Sequence, residues 1–223
     1  MPEAATPDGS DPAVATTRAA LHAVAEWLLA GPQEAATGTI RLRPLQGGFA
    51  TTAGPLVRVS GTSLVTEAGS VPLRGTIAAV GAQAGLAPRL PSLYADHAPL
   101  GPDDPLDVDE DAARLLAAWF ARGQSELRAF LPSATPVLWP EHFDLAIDHD
   151  ETNYGVSPGD ESEASPYAYV GPWGFDPTRA QGPFWNASFG ALRRRREVMA
   201  PEALTRFFRL GREQAARWRR GPA

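Results

Sequence analysis

The sequence predicts an α+β fold: an antiparallel sheet or partly open barrel with helices packed on one side. Three observations carry this. Polar and apolar residues alternate in two separated stretches, about 38–74 and 137–190. Runs with helical spacing precede, separate and follow them. Glycine and proline punctuate the first stretch so densely that its strands can be joined only by short, antiparallel connections.

Residues 1–10 read as a disordered leader and 11–220 as a single α+β domain. Asp11-Pro12 offers a cap with proline at the first helical position. Leu21, Val24, Ala25, Leu28 and Leu29 follow at helical spacing, and Gly31-Pro32 is expected to stop that helix. His22 lies beside this stripe and is expected to pair with a nearby polar group. Thr39-Ile40-Arg41-Leu42-Arg43 alternates as a half-buried strand does, and Leu56–Val59, Leu64–Thr66 and Val71–Leu73 continue a meander of three or four strands. A short helix from about Thr76 to Ala84 is closed by Gly85. Residues 86–108 form a Pro- and Asp-rich loop holding Asp96-His97. Asp107, with Glu110 three residues on, predicts a capping box. The long helix after it buries Leu115, Leu116, Trp119, Phe120, Leu127 and Phe130. The last helix, Pro201 to Arg220, gathers Leu204, Phe207, Phe208, Ala215 and Trp218 on one arc.

Composition excludes several chemistries. All 20 basic residues are arginine, and there is no cysteine. Schiff-base and Walker-type lysine chemistry, thiol nucleophiles, thiolate metal sites and disulfides are therefore closed to this chain. No segment resembles an export signal or a membrane span, which points to a cytoplasmic protein. Charge is uneven: residues 191–223 hold ten arginines and three glutamates, the first 190 residues ten arginines and 23 acids. The basic C-terminal helix is expected to dock on the acidic body, so nucleic-acid binding is not expected. In the run Arg193–Arg196, four adjacent like charges call for a cover.

Ten of the nineteen aromatic residues lie between Trp139 and Phe189. From His142 to Asp148, Phe143, Leu145 and Ile147 alternate with His142, Asp144, Ala146 and Asp148. Tyr167 and Tyr169 share a face, and Phe184 to Phe189 offers a third strand. Three such strands would present Trp139, His142, Asp144, Tyr154, Tyr167, Tyr169, Trp173, Trp185 and Asn186 as a ligand surface. The same aromatics could equally fill the core with their polar tips satisfied at its edge.

Three sharper motifs lie on this stretch. Gly155-Val156-Ser157-Pro158-Gly159 matches the G-x-S-x-G hydrolase elbow, but proline after the serine has no N–H for an oxyanion hole. Ser157-Pro158-Gly159-Asp160 reads instead as a type II turn. His142, Asp144 and Asp148 are of metal-ligating types, but their spacing matches no established ligand motif, so no metal and no cofactor is assigned. Glu141 and Asp144 could form an acid–base pair if their environments split their pKa values.

The runs W-P-E-H-F-D-L-A-I, Asn153 to Asp160, Pro166 to Trp173 and Phe184-Trp185-Asn186-Ala187 resemble a family of uncharacterised bacterial hypothetical proteins. So do Gly38 to Arg43 and Gly47 to Thr51, and the resemblance spans most of residues 15–215. Trp139 to Ala146 is also similar to a W-x-x-x-F-D-L-A pattern in another bacterial family. Neither resemblance implies an activity. The function the residues favour is binding of a small organic ligand in an aromatic-lined pocket. A carboxylate- and histidine-based enzyme, with or without a metal, and an interaction protein acting through the arginine helix are the alternatives.

Overall fold

The computed structural model describes residues 11–221, so the expected leader at 1–10 lies outside the described residues. Helix α1 (Pro12–Val24) begins as its sequence requires, with the Asp11 carboxylate accepting from Ala13 N–H at 2.9 Å. It does not stop at Gly31-Pro32. The chain first widens into a π-helix, Ala25–Ala30, in which Gly31 N–H reaches back to the Glu26 carbonyl, and then continues as α2 (Gly31–Thr37). Pro32, which has no N–H to give the preceding turn, follows directly on the π-turn. A Cβ on residue 31 would lie 1.8 Å from the Arg89 carbonyl oxygen. Glycine there serves the close passage of the 86–108 loop, and the helix ends at Gly38.

Ten strands form one antiparallel sheet. The first cluster is β1 (Leu42–Leu45), β2 (Gly48–Thr51), β3 (Arg58–Ser60), β4 (Ser63–Thr66) and β5 (Gly69–Pro72). A two-stranded ribbon follows, β6 (Gly75–Thr76) with β7 (Pro105–Leu106), enclosing helix α3 (Ile77–Gln83), which Thr76 caps. The second cluster is β8 (Val137–Trp139), β9 (Asp144–Asp148), β10 (Thr152–Ser157), β11 (Tyr167–Pro172) and β12 (Ala191–Arg194). The spatial order is β12-β11-β10-β9-β8-β1-β2-β3-β4-β5, and the clusters join where Leu42 faces Leu138. The sheet stays open. Its last strand is Ala191–Arg194, whereas Phe184–Phe189, expected as a strand, is a loop closed by the Ala187–Gly190 bridge.

Helices α4 (Glu110–Phe130) and α5 (Ala203–Arg220) cover one sheet face. The cap of α4 is Asp109, whose carboxylate accepts from Ala112 N–H at 2.8 Å, and not Asp107. Two glycines let these helices approach closely. A Cβ at Gly123 of α4 would sit 2.4 Å from Val156, and one at Gly211 of α5 would sit 2.5 Å from Val170. The core between the layers holds Leu42, Phe49, Leu64, Trp119, Phe120, Leu145, Tyr154 and Phe208. No described helix is long and apolar enough to cross a membrane.

The arginine helix docks by its apolar arc, with little ion pairing. Arg206 pairs with Glu202 at 3.6 Å, one turn away on the surface, while Arg219 donates to Thr152 Oγ1 at 2.8 Å and Arg212 covers the Phe130 ring. The preceding run is split between the end of β12 and a 3-10 turn, Arg195–Val198, which disperses its charges. Arg193 lies over Phe184 and Phe207, Arg194 pairs with Glu163 at 2.7 Å, and Arg196 stays exposed.

Candidate functional site

Alternation along the second strand cluster sorts its side chains. Leu145, Ile147, Tyr154, Val156, Ala168 and Val170 are buried in the core. Asp144, Asn153, Ser157, Tyr167 and Tyr169 line a cleft of about 850 Å³. The other walls come from α1, through Arg18 and His22, and from the loop segment Asp96–Pro99.

Phe143 is the pivot at the entry to β9. It adopts φ +49, a left-handed conformation that costs an ordinary residue roughly 1–2 kcal/mol. Its ring goes into the core, edge-on to Phe49 and Phe120 and stacked on His22 at 5.4 Å. His142 and Asp144 on either side line the cleft. His22 Nε2 lies 2.7 Å from the Pro140 carbonyl, which makes it the donor there, and burial pulls its pKa down. The neutral ring is therefore favoured.

Asp144 is 6% exposed, and its Oδ2 accepts the Tyr169 hydroxyl from two strands away. Burial pushes its pKa up to about 6, against the opposing effects of the Tyr169 hydrogen bond and His142. The same burial, with Asp144 alongside, drives the Tyr169 hydroxyl well above its usual range. Space for the Tyr169 ring exists because residue 155 is glycine: a Cβ there would lie 2.7 Å from the ring. A second acid–tyrosine pair sits nearby, where Tyr167 donates to Asp160. Asp160 is delivered by the 157–160 turn, in which Gly159 has φ +104, the sign a type II turn needs at its third residue. Tyr167, Tyr169 and Phe189 form a three-ring group with centroids 6.2–6.4 Å apart. Trp173, 54% exposed, stands at the rim with its indole N–H on Asn153 Oδ1 at 3.1 Å.

The loop wall is fastened by the π-helix. Fully buried Glu26 accepts from Ala98 N–H at 2.7 Å and lies 3.0 Å from His97 Nδ1, while the Trp27 indole donates to the Leu100 carbonyl at 3.1 Å. π-turns recur at functional sites, and here one sets the position of a cleft wall. His97 is thus a paired wall residue.

Of the nine residues singled out from sequence, His142, Asp144, Tyr167, Tyr169 and Trp173 line the cleft. The other four do not. Tyr154 is buried among Phe130 and Phe208 under the helices, because alternation along β10 gives the cleft face to Asn153 and Ser157 and turns residue 154 to the core. Trp139 is half-buried beneath Arg41. Trp185 packs on Phe175 and Phe184. Asn186 bonds both the N–H and the carbonyl of Leu192, closing its loop onto β12. Sequence reasoning missed Arg18, Asp160 and Phe189. Asp160 closes the N-Y-G-V-S-P-G-D run and was legible as part of that motif, whereas nothing in the sequence announces the approach of Arg18.

Among the described residues no three His, Asp or Glu side chains converge closely enough to hold a metal ion. His142 lies 3.3 Å from Glu141, and Asp148 is exposed at the far end of β9. The chain matches no family model, no curated protein and no solved structure.

Proposed function

We propose that the protein binds a small organic ligand in this cleft. One observation carries the reading: Asp144, Tyr167, Tyr169 and Trp173 meet in one cleft of about 850 Å³, within the size range of small-molecule sites. Aromatic faces supply contact area, and the two acid–tyrosine pairs supply directional groups held in place before the ligand arrives. A ligand at ten times its Kd adds about 1.4 kcal/mol of stability, or several degrees in Tm. A thermal-shift screen with small cationic, neutral and anionic compounds is expected to find such shifts. They should shrink in Tyr169→Ala and Trp173→Ala. A screen without hits, or hits indifferent to both changes, would sink the reading.

One feature favours a second reading, general acid–base catalysis. Burial pushes the Asp144 carboxyl up to about 6 beside the cleft, which suits a group that both gives and takes a proton near neutral pH. Under this reading, turnover of a chromogenic ester, glycoside or phosphoester is expected, with a loss of about 100-fold or more in Asp144→Asn. Turnover that survives Asp144→Asn, or none at all, refutes it.

A further inference from the structure

We propose that the cleft takes an organic ammonium ion, its cationic head between the Asp144 carboxylate and the rings of Tyr167, Tyr169 and Phe189. This rests on reading the cleft as a small-ligand site, and it names the chemical class.

The sign of the charge comes first. Five carboxylates line the cleft (Asp96, Glu141, Asp144, Asp160 and Glu161) against a single arginine, Arg18. That guanidinium is already engaged, donating to the Ala164 carbonyl at 3.0 Å beside Asp160. Low-dielectric walls focus such a field, so the cleft concentrates cations and repels carboxylates and phosphates.

The second observation is independent of the count. Asp144 is only 6% exposed, yet no arginine or histidine lies within ion-pair distance of it among the described residues. Its carboxylate accepts the Tyr169 hydroxyl and its own backbone N–H, both neutral donors, while the residue lines the cleft. Buried carboxylates are otherwise paired, since an isolated one is costly. A ligand that brings the missing positive charge satisfies it.

The third is the ring group. Tyr167 and Phe189 are inclined by 29°, and Tyr169 meets Phe189 at 87°, so the three present faces in two nearly perpendicular directions. Ring faces carry negative quadrupole charge and attract ammonium groups, quaternary ones included, by about 0.5–2 kcal/mol each. A carboxylate beside such faces favours the cation over a neutral ligand of the same shape.

The test uses matched pairs on the full chain at pH 7.5, measured by calorimetry: choline against its neutral carbon isostere dimethylbutanol, and phenethylamine against phenethyl alcohol. At least one cation is expected to bind about tenfold more tightly than its partner. Asp144→Asn should reduce that ratio below about threefold while near-UV circular dichroism stays native. Equal affinities within both pairs, tighter binding of the neutral compounds, or a ratio unchanged in Asp144→Asn would overturn the inference and leave the small-ligand reading intact. If neither these compounds nor any in the charge-diverse screen bind, both fall together.

Discussion

Asp144→Asn is expected to stabilise the protein at pH 8 by about 2–3 kcal/mol, with the gain vanishing toward pH 3.5. In the native state Asp144 keeps its proton up to about pH 6, because burial disfavours the charge, whereas in the unfolded chain it lets go near its ordinary value of 3.8. Between these values the native state binds more protons, so this residue's contribution is greatest below pH 3.8 and is lost as pH rises through 6. Each unit of difference is worth about 1.4 kcal/mol. Asparagine keeps an oxygen for the Tyr169 hydroxyl and carries no charge. Urea unfolding of both proteins at pH 3.5, 6 and 8 reads the effect directly. A destabilised variant at pH 8 would mean that the carboxylate is compensated within the protein itself, which would also undercut the need for a cationic ligand. A gain in stability joined to a loss of ligand affinity is the trade expected of a binding group.

Trp119→Ala is expected to cost about 3–5 kcal/mol, the range for removing a large aromatic from a packed core. Trp119 is 1% exposed, and its indole N–H donates to the Ser157 carbonyl at 2.9 Å. The change empties volume between α4 and the sheet and strands that carbonyl without its donor. Its effect should also reach the cleft. Ser157 Oγ accepts from Gly159 N–H at 3.1 Å, and the turn it steadies carries Asp160. Trp119→Phe, which keeps most of the volume, should lose about 1–3 kcal/mol, chiefly from the unpaired carbonyl. A drop in the urea midpoint at constant m measures both variants. A loss below 1 kcal/mol in Trp119→Ala would mean that the layers close over the void.

The candidate site was half legible in the sequence. Tyr167 and Tyr169 were placed on one face by strict two-residue alternation, and Asp144 on the same grounds, since strand periodicity is a local property. Tyr154 obeyed the same rule and for that reason went to the other face, which composition alone could not indicate. Trp185 and Asn186 were misread because Phe184–Phe189 alternates without forming a strand. Asn186 instead satisfies the Leu192 backbone locally and shapes the loop before β12.

Local pattern thus determined that the chain is α+β and antiparallel, which runs are amphipathic and which chemistries are absent: propensity, periodicity, short connections and missing residue types act over a few positions at a time. Tertiary structure decided what long-range packing controls. The helix runs through Gly31-Pro32 because a π-turn precedes the proline, and residue 31 is glycine where the Arg89 backbone passes too close for a Cβ. The 94–100 loop becomes a cleft wall because buried Glu26, about 70 residues away in sequence, holds His97 and Ala98. Asp144 acquires its raised pKa only when burial removes water from its carboxylate. Charge in the sequence could be counted, but its environment belongs to the fold.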